Sequence, residues 1–365
     1  MLPSRLHTHR ARPSRSAWRR ASLLLIATAT LGACAVGPDF KPPAAPATTR
    51  YLDKTPAGTT GQPGIAEGAP QHFHDGESIP ADWWTLFHSA PLDTLVRQAL
   101  ANNHDLKAAQ AALTVAHETT LAGRGSYFPA VSAGVSASRE QDPPGALAPV
   151  PSSNAYLYNL FTPQVSVSYV PDVFGLNRRT VESLQAQEQA TRYQLAAVQI
   201  TLSANVVNTA VQVASLQAQL DATQDLLKLN RQMLEIVQRQ FDKGYASRLD
   251  LAAQQSQLAQ VTATLAPLRL QLAQQQHALA VLTGQFPGDA AATHFTLAGF
   301  TLPAELPLSL PSQLVAQRPD VLQAQANLHA ASAAIGIAEA ARLPQIELSA
   351  NAGSTALAIN QVFHA

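Results

Sequence analysis

The chain has 365 residues and equal numbers of acidic and basic side chains, so its formal net charge is zero. That balance excludes an electrostatic nucleic-acid binder, which needs a basic face. Charged residues make up only 13%, well below the usual quarter, with Ala and Gln in their place. Such surfaces suit contact with other protein or the lining of a wet interior.

Residues 1–33 read as a lipoprotein signal peptide. Arg5, Arg10, Arg12, Arg15, Arg19 and Arg20 precede a short apolar run, Ala21 to Ala33. The run is too short to span a bilayer as a helix. It ends in Leu31-Gly-Ala-Cys34, which resembles the bacterial lipobox. Cys34 is the only cysteine, so no intrachain disulfide can form. Its place at the end of the apolar run predicts acylation rather than an incidental thiol, and more than one acyl chain anchors stably. Ala35 follows instead of Asp; by resemblance to lipoprotein sorting, that implies the outer membrane. The stretch Cys34-Ala-Val-Gly-Pro-Asp-Phe-Lys-Pro-Pro43 resembles the start of mature NodT-type outer-membrane efflux lipoproteins. Residues 44–80 are rich in Pro, Gly, Ala and Thr. They are predicted to be extended and poorly ordered, within a lipidated N-terminal extended linker over 34–91.

The Trp83-Trp84 pair is predicted to pack rather than to hold a ligand. A helix is predicted from Leu92 to Ser126. The period then changes. Within 127–138, Val131, Ala133, Val135 and Ala137 alternate with Ser132, Gly134, Ser136 and Ser138. After a loop over about 139–162, alternation returns in 163–171, where Val165, Val167 and Tyr169 alternate with Gln164, Ser166 and Ser168. Two such strands form a hairpin, each about long enough to cross a membrane at a tilt. Alternation alone fits a soluble hairpin equally well; the lipobox and the small polar residues favour a transmembrane barrel.

A long helical hairpin is predicted over 176–284. Val206, Val213, Leu220, Leu227, Leu234 and Phe241 recur every seven residues, as do Leu251, Leu258, Leu265, Leu272 and Leu279. Val261, Leu268 and Leu282 make a second row. Sustained heptads mark coiled-coil packing. The turn falls at Phe241 to Asp250: Gly244 suits a helix C-terminus, Ser247 an N-cap, and Asp250 the positive end of the next helix. The outgoing helix, Leu176 to Lys243, would be about 100 Å long at 1.5 Å per residue. The two shorter helices, 92–126 and 247–283, together match it, so they are predicted to stack end to end beside it. Pro267 is a candidate kink.

The region 285–309 is predicted to be an irregular connection. Then the sequence repeats. Asn103-His-Asp105-Leu-Lys-Ala-Ala-Gln110 matches Arg318-Pro-Asp320-Val-Leu-Gln-Ala-Gln325, and Tyr127-Phe-Pro129-Ala-Val131 matches Arg342-Leu-Pro344-Gln-Ile346, at a constant offset of 215 (320 − 105). This marks an internal duplication. It predicts a third strand, with Ile346, Leu348, Ala350 and Ala352 alternating with Gln345, Glu347, Ser349 and Asn351. The second repeat, 310–365, ends before its partner strand and helices. A barrel tolerates no open edge in lipid, so the expectation is a C-terminally truncated form of a longer protein, lacking roughly a hundred residues or more.

From Leu31 onward the chain resembles the outer membrane factor (TolC-like) family, as a NodT-type efflux lipoprotein. The resemblance rests on the lipobox with Val36-Gly-Pro38, the Trp83-Trp84 segment, the 215-residue duplication and the Phe241–Asp250 turn. It implies a mainly α fold with transmembrane β-strands: long antiparallel coiled-coil helices in an α-barrel tunnel, β-barrel hairpins, and a duplicated helix-strand-strand-helix repeat of which 92–284 is the first copy. It implies a homotrimeric, passive duct in the outer membrane, lipid-anchored at Cys34 with a periplasmic helical extension. Its partners would be a periplasmic adaptor, an inner-membrane efflux transporter and outer-membrane lipid; no cofactor, metal or enzyme activity is implied. Gly244, Ser247, Leu249 and Asp250 are the implied adaptor-docking tip. Ser132, Ser136, Gln164, Ser166, Ser168, Gln345 and Glu347 are the predicted lumen-facing strand positions. Gate carboxylates of the family belong mostly to a second hairpin, so none is assigned. The alternative is a periplasmic adaptor lipoprotein, which should flank its hairpin with compact β-rich halves. The 11 histidines are scattered, and no nucleophile or phosphate motif argues for an enzyme.

Overall fold

The computed structural model describes residues 35–44, 47, 57–62, 64, 68–143, 149–150, 154–288, 294–308 and 311–362. The predicted signal peptide and Cys34 lie outside the described residues. The chain divides into two compact units. Of the described residues, one unit holds 35–42, 116–188 and 326–362; the other holds 43–115 and 189–325.

The second unit is helical. It contains α1 (Ala90–Asn102), the start of α2 (His104–Arg124), most of α3 (Leu176–Asp242), and all of α4 (Arg248–Leu282). Pro91 sits in the first turn of α1, where its missing N–H costs nothing. Leu92, Leu95, Val96 and Ala99 recur on one face and are buried. They meet Trp84, Val206, Val213, Leu279, Phe295 and Phe300 in the core. Burying a side chain such as Leu92 or Val96 fully contributes about 2 kcal/mol. The heptads of α3 and α4 form this core, but unevenly. Val206, Val213, Leu220, Leu227, Leu265, Leu272 and Leu279 are buried, whereas Leu234, Phe241, Leu251 and Leu258 are only half-buried. Burial along the two helices thus falls off toward the turn. Pro267 stands inside α4, which continues through it.

The predicted helix over 92–126 is two helices. Asn103 leaves the helical region (φ −57°, ψ 132°). Its Oδ1 accepts from the Leu106 backbone N–H at 3.0 Å and so caps α2. Its Nδ2 donates to the Leu282 carbonyl at 3.1 Å, which sets the start of α2 against the end of α4, as end-to-end stacking requires. The expected linker also carries structure. β1 (His72–Asp75) pairs in parallel with β4 (Glu305–Leu308), and Trp83–Phe87 form a 3-10 turn. Trp84 is buried in the core and donates from Nε1 to Asp93 at 3.0 Å. Neither β1 nor β4 has a local signal, because each strand's partner is more than 200 residues away.

The first unit holds a three-stranded antiparallel sheet of order β2-β3-β5: β2 (Ala130–Gln141), β3 (Leu157–Tyr169) and β5 (Leu348–Gly353). It also holds the end of α2, the start of α3, and most of α6 (Pro319–Ala340), whose buried face is Ala326, Ala330, Ala333, Gly336 and Ala340. The duplication appears in the helix boundaries. α1 ends at Asn102 and α5 (Pro311–Gln317) at Gln317; α2 opens at His104 and α6 at Pro319, each pair 215 apart (317 − 102, 319 − 104). Among the described residues no helix is long and apolar enough to cross a membrane.

Candidate functional site

Register decides which strand residues share a face. Ser132 pairs with Ser166, and Ser166 with Asn351; Ser136 pairs with Thr162. Gln164 pairs with Gly134 and Gly353, and Ser168 with Ala130 and Ser349. Directly opposite residues point to the same side. Ser132, Ser136, Gln164, Ser166 and Ser168 therefore lie on one face. Val131, Val135, Val165, Val167, Ala350 and Ala352 lie on the other. Within this apolar row Val131 is 69% and Val135 80% exposed, whereas Val167 is half-buried.

Two strand boundaries correct the sequence reading. The loop expected over 139–162 is shorter at both ends, since β2 runs to Gln141 and β3 begins at Leu157. Pro163 hid this, because proline ordinarily marks a strand end. Here its carbonyl accepts from Ser354 N–H at 3.2 Å. In an antiparallel strand a residue's N–H and C=O point to the same side, so the missing N–H removes a bond toward β5 and none toward β2. The third strand starts at Leu348, not Gln345. Tyr169 pairs with Leu348, so continuing the register would set Glu347 against Val170 and Ile346 against Pro171, which has no N–H to give. Gln345 and Glu347 consequently precede the ladder, although they share the parity of Ser349 and Asn351.

The hairpin turn is built from local bonds. Gly244 is left-handed (φ +73°). Gly244 N–H donates to the Phe241 carbonyl at 2.9 Å and Tyr245 N–H to the Gln240 carbonyl at 2.8 Å, the Schellman pattern that closes a helix C-terminus. Ser247 then caps α4. Asp250 N–H donates to Ser247 Oγ at 3.2 Å, while Ser247 N–H donates to Asp250 Oδ2 at 2.9 Å, a reciprocal capping box. The Ser247 hydroxyl and backbone bonds hold the Asp250 carboxyl below its ordinary range. With the polar groups satisfied locally, Tyr245 is left 83% and Leu249 78% exposed. The only sequence signal for Tyr245 is its place immediately after the glycine.

Residues 35–40, which follow Cys34, lie against the start of α3. Val36 N–H donates to the Phe174 carbonyl at 3.1 Å. Arg179, buried in this unit, reaches back to the Val36 and Gly37 carbonyls and to Asp39.

Residues 95–285 and 310–365 match the family model described as outer membrane efflux protein. The chain belongs to this family. It is similar to the probable efflux pump outer membrane protein TtgC of Pseudomonas putida, with 32% identity over 350 residues, covering 94% of this chain and 68% of TtgC. It is also similar to the pyoverdine export outer membrane protein OpmQ of P. putida, with 33% identity over 292 residues, covering 77% of this chain and 60% of OpmQ. The fold matches that of the outer-membrane channel OprN at a TM-score of 0.77 and 26% identity, covering 90% of this chain and 70% of OprN. It likewise matches the Campylobacter jejuni outer membrane channel CmeC at a TM-score of 0.75, 21% identity, and 91% and 68% coverage. The fold is thus that of the TolC-like channels, mainly helical with strands, and the chain is an outer membrane efflux channel protein. That finding excludes the periplasmic adaptor alternative.

Proposed function

We propose that this chain is one protomer of a passive homotrimeric duct, the outer-membrane part of a tripartite pump that exports drugs or other small molecules. The exposed apolar row of the sheet carries the reading. Val131 and Val135 are largely exposed on the apolar face while Ser132, Ser136, Gln164, Ser166 and Ser168 share the other face. An apolar outside and a polar inside is the pattern of a strand between lipid and a water-filled lumen. The β2 and β5 edges lack partners among the described residues, and no open edge survives in lipid. Strands from further copies would supply those partners. Gln345 and Glu347 extend the lumen row just before β5.

Gly244, Ser247, Leu249 and Asp250 form the tip that docks on a periplasmic adaptor, which links the duct to an inner-membrane transporter. Acylation of Cys34 anchors the chain in the outer membrane. Residues 92–284 act as the first repeat and 310–365 as the start of the second. The duct performs no covalent chemistry; export follows once the tip dilates. Deleting the gene in its host should raise ethidium accumulation and drug susceptibility, and the purified protein should run as a heat-modifiable trimer in detergent. A soluble monomer with unchanged susceptibility on deletion would contradict the reading.

A further inference from the structure

The Val36-Gly-Pro-Asp-Phe40 stretch has a receptor within its own unit. Arg179 is only 5% exposed, and four donor contacts account for its guanidinium. Nε donates to the Val36 carbonyl at 3.0 Å, Nη2 to the Gly37 carbonyl at 3.0 Å and to Asp39 Oδ1 at 3.0 Å, and Nη1 to Glu182 Oε2 at 2.8 Å. Glu182 is held in turn by His329 Nε2 at 2.9 Å. The His329 ring stacks on Phe40, centroids 4.4 Å apart and planes within 11°. Glycines make the approach possible. A Cβ on Gly37 would strike the Gly336 backbone, and a Cβ on Gly336 would come within 2.9 Å of Arg179 Cγ. A planar fork reading two successive carbonyls and a carboxylate is a geometry that Lys cannot reproduce.

We propose that residues 36–40 are a docked recognition segment and that Arg179, seated by Glu182, His329 and Gly336, is the positioning residue that fixes this segment at the junction of β3 and α3. A flexible linker would let an acyl anchor wander. The clamp instead holds Ala35, the residue after Cys34, beside Gly175, where a Cβ on the glycine would lie 2.9 Å from Ala35 Cα. An anchored end fixed at the strand–helix junction sets where the sheet meets the lipid. That consequence rests on the acylation reading; the docking itself does not.

The test uses the full chain purified in detergent and treated with proteinase K. Mass spectrometry follows cuts within residues 36–44 and, separately, cuts in the body. Arg179→Ala and Phe40→Ala should each raise the rate of cutting within the segment at least tenfold, with body cuts and palmitate labelling unchanged. Arg179→Lys should fall between. Phe40→Ala changes only the docked segment, so it decides the matter if Arg179→Ala fails to fold. Unchanged segment cutting in Phe40→Ala would overturn the proposal. Absence of palmitate from the wild type would remove the acyl anchor while the cutting rates still report the clamp.

Discussion

The Arg179 cluster and the Gly244 turn are both dense in hydrogen bonds, but they spend them over opposite sequence distances. Arg179 bonds to residues 143, 142 and 140 positions away. Ser247 and Asp250 bond to each other across three. Long-range bonds tie separate stretches of chain into one unit around a buried Arg179, although the Asp39 side chain itself stays exposed. Local bonds make the turn self-sufficient and leave Tyr245 and Leu249 with nothing of their own chain to cover them. The first region is organised for the chain itself; the second leaves its side chains exposed, as the proposed docking tip requires.

The two regions should therefore fail differently. Glu182→Ala should have the largest effect on stability. It strips the buried Arg179 of its closest carboxylate and His329 of its acceptor, at a cost of about 2 kcal/mol given Glu182's partial exposure, read as a lowered unfolding midpoint in detergent. Gly244→Val should come next. Open space surrounds the position, so no clash arises, but a β-branched residue at a left-handed φ costs about 1–2 kcal/mol. Export should fall while membrane insertion is retained, as drug susceptibility and fractionation would show. Ser247→Ala should cost about 1 kcal/mol through the lost cap, seen as faster amide exchange in the first turn of α4.

Acid should separate the regions further. Burial raises the Glu182 carboxyl, but the hydrogen bonds from Arg179 and His329 outweigh it and leave the folded value lowered. A depressed carboxylate contributes stability that is present above its ordinary value and lost as pH falls through the folded one. The clamp should thus hold at neutral pH and loosen only in acid below the ordinary glutamate range, measurable as proteolysis within residues 36–44. Tyr245→Ala should have the smallest effect on stability, within about 0.5 kcal/mol, yet weaken capture of the adaptor in a pull-down with the purified partner.

What was legible in the sequence was what depends on near neighbours. Gly244, Ser247 and Asp250 occupy the cap positions their types suggest, because capping acts over three residues. The strand faces were legible because alternation has a period of two, and the observed register keeps Ser132, Ser166 and Asn351 together. The heptads foretold the helical hairpin. Features with distant partners were not legible. The Asn103 break depends on Leu106 and on Leu282. The β1–β4 pair joins segments that look unstructured alone. Gln345 and Glu347 fell outside the ladder because Pro171, in another segment, ends it. Arg179 reads as one more charge on a long helix until Val36 and Gly37 are placed beside it.

The central claim is that the β2-β3-β5 sheet stands between lipid and a water-filled lumen. Cysteines placed one at a time at Ser166 and Val167, adjacent in β3 but on opposite faces, test it most directly in intact outer membranes. A water-soluble maleimide should label the cysteine at position 166, and a lipid-soluble one should label the cysteine at position 167. Equal labelling of both positions by the water-soluble reagent would contradict the claim.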